Sequence, residues 1–232
     1  WMQRPVPVPQ PRLFQPILAW DVAAVRRLIA DDQSTLAEVD ADGLNAFGLA
    51  ASLGLTDVLQ ALSDAATDAA PLVAPFRCAR LPAKPLVTPL MAGCWLGHSG
   101  VVDVLLNDLR VDASQVVPGQ GPRSLLDVAL AIGDRPTLRR LCREPAAAAA
   151  AWARAFVTRA HVAPIVVALF VVELGADPNA IVDAAQAETA LMRACTNYDV
   201  LAVNSLLAFK ADVAQRDVLG RDACARLLRY LS

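Results

Sequence analysis

T-P-L-M-A-G-C-W-L-G-H, from Thr88 to His98, decides how this chain is read, together with V-V-D-V-L-L from Val101 to Leu106 behind it. Thr88 and Pro89 start a short helix, because a hydroxyl cap and a first-turn proline suit the backbone donors that have no intrahelical partner. Small residues at Gly93 and Cys94 leave room for a neighbouring element to approach closely, and Gly97 turns the chain into a second, apolar helix. Such a helix pair cannot bury its hydrophobic face alone. Further copies are therefore expected, each stacked on the last.

They are present. Asp40 to Gly54 reads D-A-D-G-L-N-A-F-G-L-A-A-S-L-G with Val58, Leu59 and Leu62 behind it, Ser124 to Asp134 reads S-L-L-D-V-A-L-A-I-G-D, and Thr189 to Cys195 reads T-A-L-M-R-A-C. Gly175 to Ala180 is G-A-D-P-N-A, and Ala211 to Val213 repeats part of it before Asp217 and Gly220 open another unit. These segments resemble the ankyrin repeat, with its T-P-L-H-x-A-A helix start, its G-H turn and its G-A-D ending. The register agrees: Thr189 and Asp222, in the same frame position, are 33 apart, and the turn positions Trp20, Gly54, Gly97 and Gly133 are spaced by 34, 43 and 36. The resemblance implies an all-α fold, an ankyrin-type solenoid of stacked helix-turn-helix repeats with short hairpin-like fingers. Six repeats and a partial seventh are expected over 11–232 as one domain, with an elongated finger or long loop at about 65–82 between repeats two and three.

Departures from the repeat are local. Trp20 and Tyr198 stand where the family places the turn glycine, a left-handed position costing most side chains roughly 1 kcal/mol. Asn197 is expected to take that conformation for its neighbour. Lys210 replaces the glycine of G-A-D, and the fifth repeat, at about 146–180, retains only its second half, its first helix opening on an alanine run with little to specify packing.

Composition narrows the function. The 232 residues are 56% hydrophobic and 19% charged, apolar for a wet-surfaced array, so a covered surface is expected. Val162 to Val172 is the best candidate membrane span, but eleven apolar residues with a proline inside fall short of the roughly 20 a bilayer requires. It reads as the buried second helix of repeat five, and the chain as not membrane-spanning, though it could lie beside a membrane within a complex. A net charge of −2 gives no footprint for nucleic acid. Small basic clusters at Arg26 and Arg27, at Arg139, Arg140 and Arg143, and at Arg221, Arg226 and Arg229 read as solvated helix faces or as docking edges for an acidic partner.

No catalytic, cofactor-binding or metal site is expected. The five cysteines include no C-x-x-C, and with only two histidines there is no zinc spacing. Cys94 and Cys195 occupy the small-residue slots between repeats, as packing residues in a reducing, intracellular compartment, cytoplasmic or inside an organelle such as the mitochondrion. His98 belongs to the G-H turn, where it is expected to bond backbone, and neither it nor His161 has a nucleophile or carboxylate at a recognisable spacing.

The first ten residues, with prolines at alternate positions from Pro5 to Pro11 nearby, are expected to form an extended arm along the protein or against a neighbour. The first residue is Trp1 rather than Met, compatible with processing, a removed targeting segment or excision from a longer chain.

The resemblance places partner binding on the concave face, at the two positions after the paired small residues. These are Ser52 and Leu53, Trp95 and Leu96, Ala131 and Ile132, and Thr196 and Asn197; Leu53, Trp95, Leu96, Ile132, Thr196 and Asn197 are the candidates for partner contact. Alternatively, Trp95 folds onto the loop at 65–82 and closes the groove. The finger tips Asp42, Leu44, Lys84, Arg123, Glu188 and Arg221 would set specificity. The function this implies is non-catalytic protein binding, as a structural or accessory subunit of a larger assembly or as a reversible adaptor, with a domain cut from a multidomain enzyme as a third reading.

Overall fold

The computed structural model describes residues 10–67, 70–114, 117, 124–159 and 161–228. The N-terminal arm through Pro9, Arg123 and Arg229 lie outside them. The chain divides into two compact units between Ile132 and Gly133.

In the first unit, helix pairs follow the register: α1 Phe14–Leu18 with α2 Val22–Asp31, α3 Ala46–Leu53 with α4 Thr56–Ala65, and α6 Pro89–Trp95 with α7 Ser99–Asp103. A π-helical turn, Val104–Asp108, extends α7, and α8 Leu125–Ile132 closes the unit. First helices stack on first helices, α1 on α3, α3 on α6 and α6 on α8, while α2 packs on α4 and α4 on α7. The first helices α3, α6 and α8 are capped by the residue types the repeat supplies. Asn45 accepts from the Gly48 amide, Thr88 from Met91 and Ser124 from Asp127, which satisfies an amide that has no partner within the helix.

Close stacking depends on missing side-chain volume. A Cβ on Gly93 would stand 2.8 Å from Val101 Cγ1, and one on Gly54 would stand 2.8 Å from the His98 ring. Gly54 also sits at φ +77, so both backbone conformation and space demand glycine there. His98 Nε2 lies 3.2 Å from the Ser52 carbonyl, so the G-H turn ties one repeat to the backbone of the one before it.

Of the two forms expected for 65–82, a finger or a loop, the described residues form a finger. It contains the short helix α5 Ala70–Val73 and the strand β1 Phe76–Arg77, which pairs antiparallel with β2 Leu86–Val87. Phe76, Cys78 and Leu81 are buried, and Phe76 covers Gly48, where a Cβ would meet its ring at 2.7 Å.

The second unit contains α9 Arg135–Leu141, α10 Pro145–Thr158, α11 Pro164–Ala168 with a π-helical turn Leu169–Glu173, α12 Ala190–Thr196, α13 Val200–Ala208 and α14 Ala223–Leu228. The first helices α10, α12 and α14 stack in turn and α11 packs on α13. Thr189 caps α12 through Met192 N, and Asp222 occupies the same place one period later, accepting from Ala225 N. A hairpin, β3 Ile181–Asp183 with β4 Glu188–Thr189, precedes α12.

The fifth repeat differs from expectation. It has a complete first helix, α10, whose packing is specified not by its alanines but by Trp152 and Phe156, one helical turn apart and both 1% exposed. Their rings meet edge to face at 4.8 Å, and Phe170 lies 5.6 Å from Trp152. The Ala-rich stretch conceals this because Ala148, Ala151 and Ala155 line the same buried face. Residues of the link from α10 to α11 are bonded by repeat six. Asn197 Nδ2 donates to the Arg159 carbonyl at 3.1 Å, and Asp199 accepts from Val162 N at 2.6 Å.

A second correction concerns Asn197, whose φ is −86. Tyr198 itself takes the left-handed conformation, at φ 54, as does Trp20 at φ 59. Asn197 cannot relieve its neighbour because the turn fixes which residue reverses the chain. The repeat ending behaves likewise: Arg110, Gly175 and Lys210 all have positive φ, at 50, 68 and 62.

Candidate protein-binding surface

The four largest candidates lie in the first unit and share one frame. Leu53, Leu96 and Ile132 each immediately precede a left-handed turn, at Gly54, Gly97 and Gly133, and Trp95 precedes Leu96 as the last residue of α6. Stacking of α3, α6 and α8 brings these positions into a row. Leu53, Trp95 and Leu96 are half-buried and Ile132 is 41% exposed, so large apolar side chains stay partly in water on a packed helix layer. No neighbouring atom lies within 4 Å of a Cβ built on Gly97; the surface beside Leu96 is open.

Part of the row is occupied by the chain itself. Ser52, equivalent to Trp95 one repeat earlier, is 3% exposed. Its carbonyl accepts from Arg80 Nη1 at 2.9 Å, and its hydroxyl lies 4.0 Å from Cys78 Sγ. The finger that follows α5 therefore covers repeat two at this point and leaves Leu53 at the margin.

Thr196 and Asn197, in the second unit, are committed internally. Thr196 Oγ1 donates to the Met192 carbonyl at 2.9 Å, and Asn197 Nδ2 to Arg159 as described. Both side chains are half-buried, and their donors serve the fold.

The finger tips divide sharply. Lys84 is exposed, at φ 43 beside Ala83 at φ 61. Asp42 and Leu44 are half-buried, their amides both held by the Asp40 carboxylate at 2.9 Å. Glu188, expected outside, is 1% exposed. It accepts from Arg226 Nη1 and pairs with Arg193 Nη2 at 2.7 Å. Arg226 Nη2 donates to Asp217 at 2.7 Å, Arg221 pairs with the same Asp217 oxygen at 2.8 Å, and Arg193 reaches Asp183 at 3.2 Å. Burial pushes the Glu188 carboxyl up against the pull of Arg193 and Arg226. Burial also acts to raise Asp217, but hydrogen bonds from the Arg221 amide and from the Arg226 and Arg221 side chains hold it well below the usual carboxylate range. Arg221 and Arg226, taken from sequence as part of a basic cluster, are thus the counter-charges of an inward ion group.

Members of the other basic clusters are also paired. Arg26 lies 3.6 Å from Asp64, and Arg135 and Arg139 both bind Glu173. Cys78, Cys94, Cys142 and Cys195 are buried and Cys224 exposed; burial raises the Cys142 thiol to about 11, away from the reactive thiolate. Among the described residues no group of three His, Cys, Asp or Glu is placed to hold a metal, and no helix is long and apolar enough to cross a membrane.

Sequence reasoning missed Arg77 and Arg80, which flank Cys78 on the finger and are exposed. One signal was available: from 69 to 102 the chain has Arg77, Arg80 and Lys84 but neither Asp nor Glu.

No protein-family model matches the chain, and no curated protein matches it in sequence. Its fold is similar to that of the human ASB11 ankyrin repeat domain, at 19% identity and a TM-score of 0.55, over 93% of this chain and 90% of that one. Two further similar structures are the ankyrin repeat domain of Bcl-3, a member of the IkappaB protein family, at 18% identity, 94% and 80% coverage and a TM-score of 0.44, and the predatory endopeptidase Bd0816 of Bdellovibrio bacteriovorus in complex with the immunity protein Bd3460, at 15% identity, 94% and 90% coverage and a TM-score of 0.46. The likeness to the first carries the fold, an all-α ankyrin-repeat architecture with short hairpin fingers.

Proposed function

Given an ankyrin-repeat fold, we propose that this chain is a non-catalytic protein-binding module, acting as a structural or accessory subunit of a larger assembly. The observation that carries the reading is the row Leu53, Trp95, Leu96 and Ile132, which keeps large apolar side chains partly exposed on a rigid stack of first helices. Hot spots of protein interfaces have this composition, an aromatic anchor among aliphatic neighbours. Preorganisation is the mechanism: packed helices with capped ends lose little conformational entropy on binding, so more of the contact energy becomes affinity. A permanent rather than transient role is favoured by the second unit. Ile165, Val172, Val200, Leu201 and Leu207 are exposed on the packed pair α11 and α13, and apolar area of this kind is normally covered in the working state.

The test is a pull-down titration with the Leu53→Ala, Trp95→Ala double variant. Loss of about 2 kcal/mol or more of binding with unchanged thermal stability is expected; unchanged affinity would move the interface to the outer helices. Size-exclusion of the endogenous protein with mass spectrometry of co-eluting chains tests the subunit role, for which high mass and a fixed partner set are expected.

A further inference from the structure

We propose that the finger of the first unit makes the Trp95 row a docking site for an acidic, apolar-anchored segment of a partner protein. This rests on the protein-binding reading above and names the chemistry of the partner.

Several arginines of this molecule are paired internally. Arg12, Arg26, Arg135, Arg139, Arg193, Arg221 and Arg226 all have carboxylate partners. Arg77, Arg80 and Lys84 are exposed cations for which the described residues provide no carboxylate partner, and the surrounding sequence has no acid to offer between 69 and 102. That run contains the whole finger and α6 with Trp95 at its end. The finger is also held in place. Arg80 Nη1 donates to the Ser52 carbonyl at the end of α3, beside Leu53, and the His98 ring approaches the same oxygen. Beneath, Phe76, Cys78 and Leu81 are buried. The cations therefore stand on a fixed hairpin rather than a wandering loop, next to an apolar strip.

Cations on a finger anchored at Ser52, beside the Leu53 end of an apolar row, are complementary to a segment that bears Asp or Glu next to a large apolar residue. Guanidinium groups can bind carboxylates in bidentate fashion, and Arg80 retains donors beyond the one given to Ser52. A long polyanion is the poorer fit, because the whole chain carries a net charge of −2 and the apolar row would gain nothing from phosphates.

The experiment selects from a displayed library of random peptides on the full chain, then titrates the enriched peptides against variants. Arg77→Glu with Lys84→Glu reverses two exposed charges outside the buried packing, and a thermal melt checks that the fold persists. The expected result is enrichment of Asp and Glu around an apolar residue. Binding should weaken as salt rises and fall about tenfold or more on charge reversal and again on Trp95→Ala. Enriched peptides that are neutral or basic, yet lost with Leu53→Ala and Trp95→Ala, would overturn the acidic inference and leave the binding surface standing. Acidic peptides indifferent to Trp95→Ala would overturn the anchored site, and with it the row as the interface. Equal affinity for oligothymidylate, also indifferent to Trp95→Ala, would identify a general polyanion surface and overturn the proposal.

Discussion

The two hairpin fingers of this protein use charge in opposite ways. In the first unit, Phe76, Cys78 and Leu81 are buried while Arg77, Arg80 and Lys84 face water. In the second, Glu188 is carried inside and met by Arg193 and by Arg226 from α14, with Asp217 joined to the same group. A hairpin that rests on apolar side chains leaves its charges available to a partner. One that rests on an ion group consumes them, and ties its own stability to residues far along the chain. The difference teaches that corresponding fingers in a repeat protein need not share a role: Val87 and Glu188, each one residue before a helix cap, are both buried, but the first is apolar and leaves Lys84 outward, whereas the second needs counter-charges and so holds the last repeat.

The largest effect is expected where the second finger is broken. Arg226→Ala leaves Glu188 buried with one cation fewer and should destabilise the second unit by about 3–5 kcal/mol in chemical denaturation; a cost under about 1 kcal/mol would show that water replaces the guanidinium and that the cluster is not buried in solution. Phe76→Ala should cost the first unit about as much, roughly 3–5 kcal/mol, through lost burial and the cavity over Gly48. If it does not, the finger rests on something other than its apolar face. Trp20→Gly relieves a left-handed backbone at a side chain 71% exposed and should stabilise by roughly 1 kcal/mol; a loss of stability would mean that the indole packs against a surface in solution. Removing two of the three outward charges of the first finger, Arg77→Ser with Lys84→Ser, should change stability by no more than about 0.5 kcal/mol, against the large effect of Arg226.

The smallest effect concerns pH. Asp32 accepts from Ser34 and Arg12, which hold its carboxyl down at about 2 against an ordinary 3.8. Its folded value being depressed, its stabilisation is present above pH 3.8 and is lost as pH falls toward 2. Asp32→Asn should therefore lower stability at neutral pH and flatten the decline over that interval, as followed by thermal melts. An unchanged slope would assign the acid lability to other carboxylates, Asp217 foremost.

Much of the fold was legible in local chemistry. Thr189 and Asp222, 33 residues apart, both cap first helices, and the positions read as turns at Trp20, Gly54, Gly97, Gly133 and Tyr198 all have positive φ. The candidate surface was only half legible. Leu53, Trp95, Leu96 and Ile132 are where the register puts them, but Ser52 is covered by a finger whose packing follows from no repeat rule. Arg226 held a clue: an arginine within A-C-A-R-L-L, on a first helix that packs on α12, sits where an apolar residue belongs and so implies a buried partner. The Ala-rich fifth repeat concealed its aromatic pair for the opposite reason, since alanine is equally at home in a helix whether buried or not.

By itself the sequence determined the period, the helix starts and the points of reversal, because each depends on backbone geometry and hydrogen bonds spanning only a few residues. The tertiary structure alone decided which charges face inward. Glu188 and Arg226 are 38 positions apart, and whether a carboxylate can leave water depends on a counter-charge supplied by the next repeat, which no local pattern encodes.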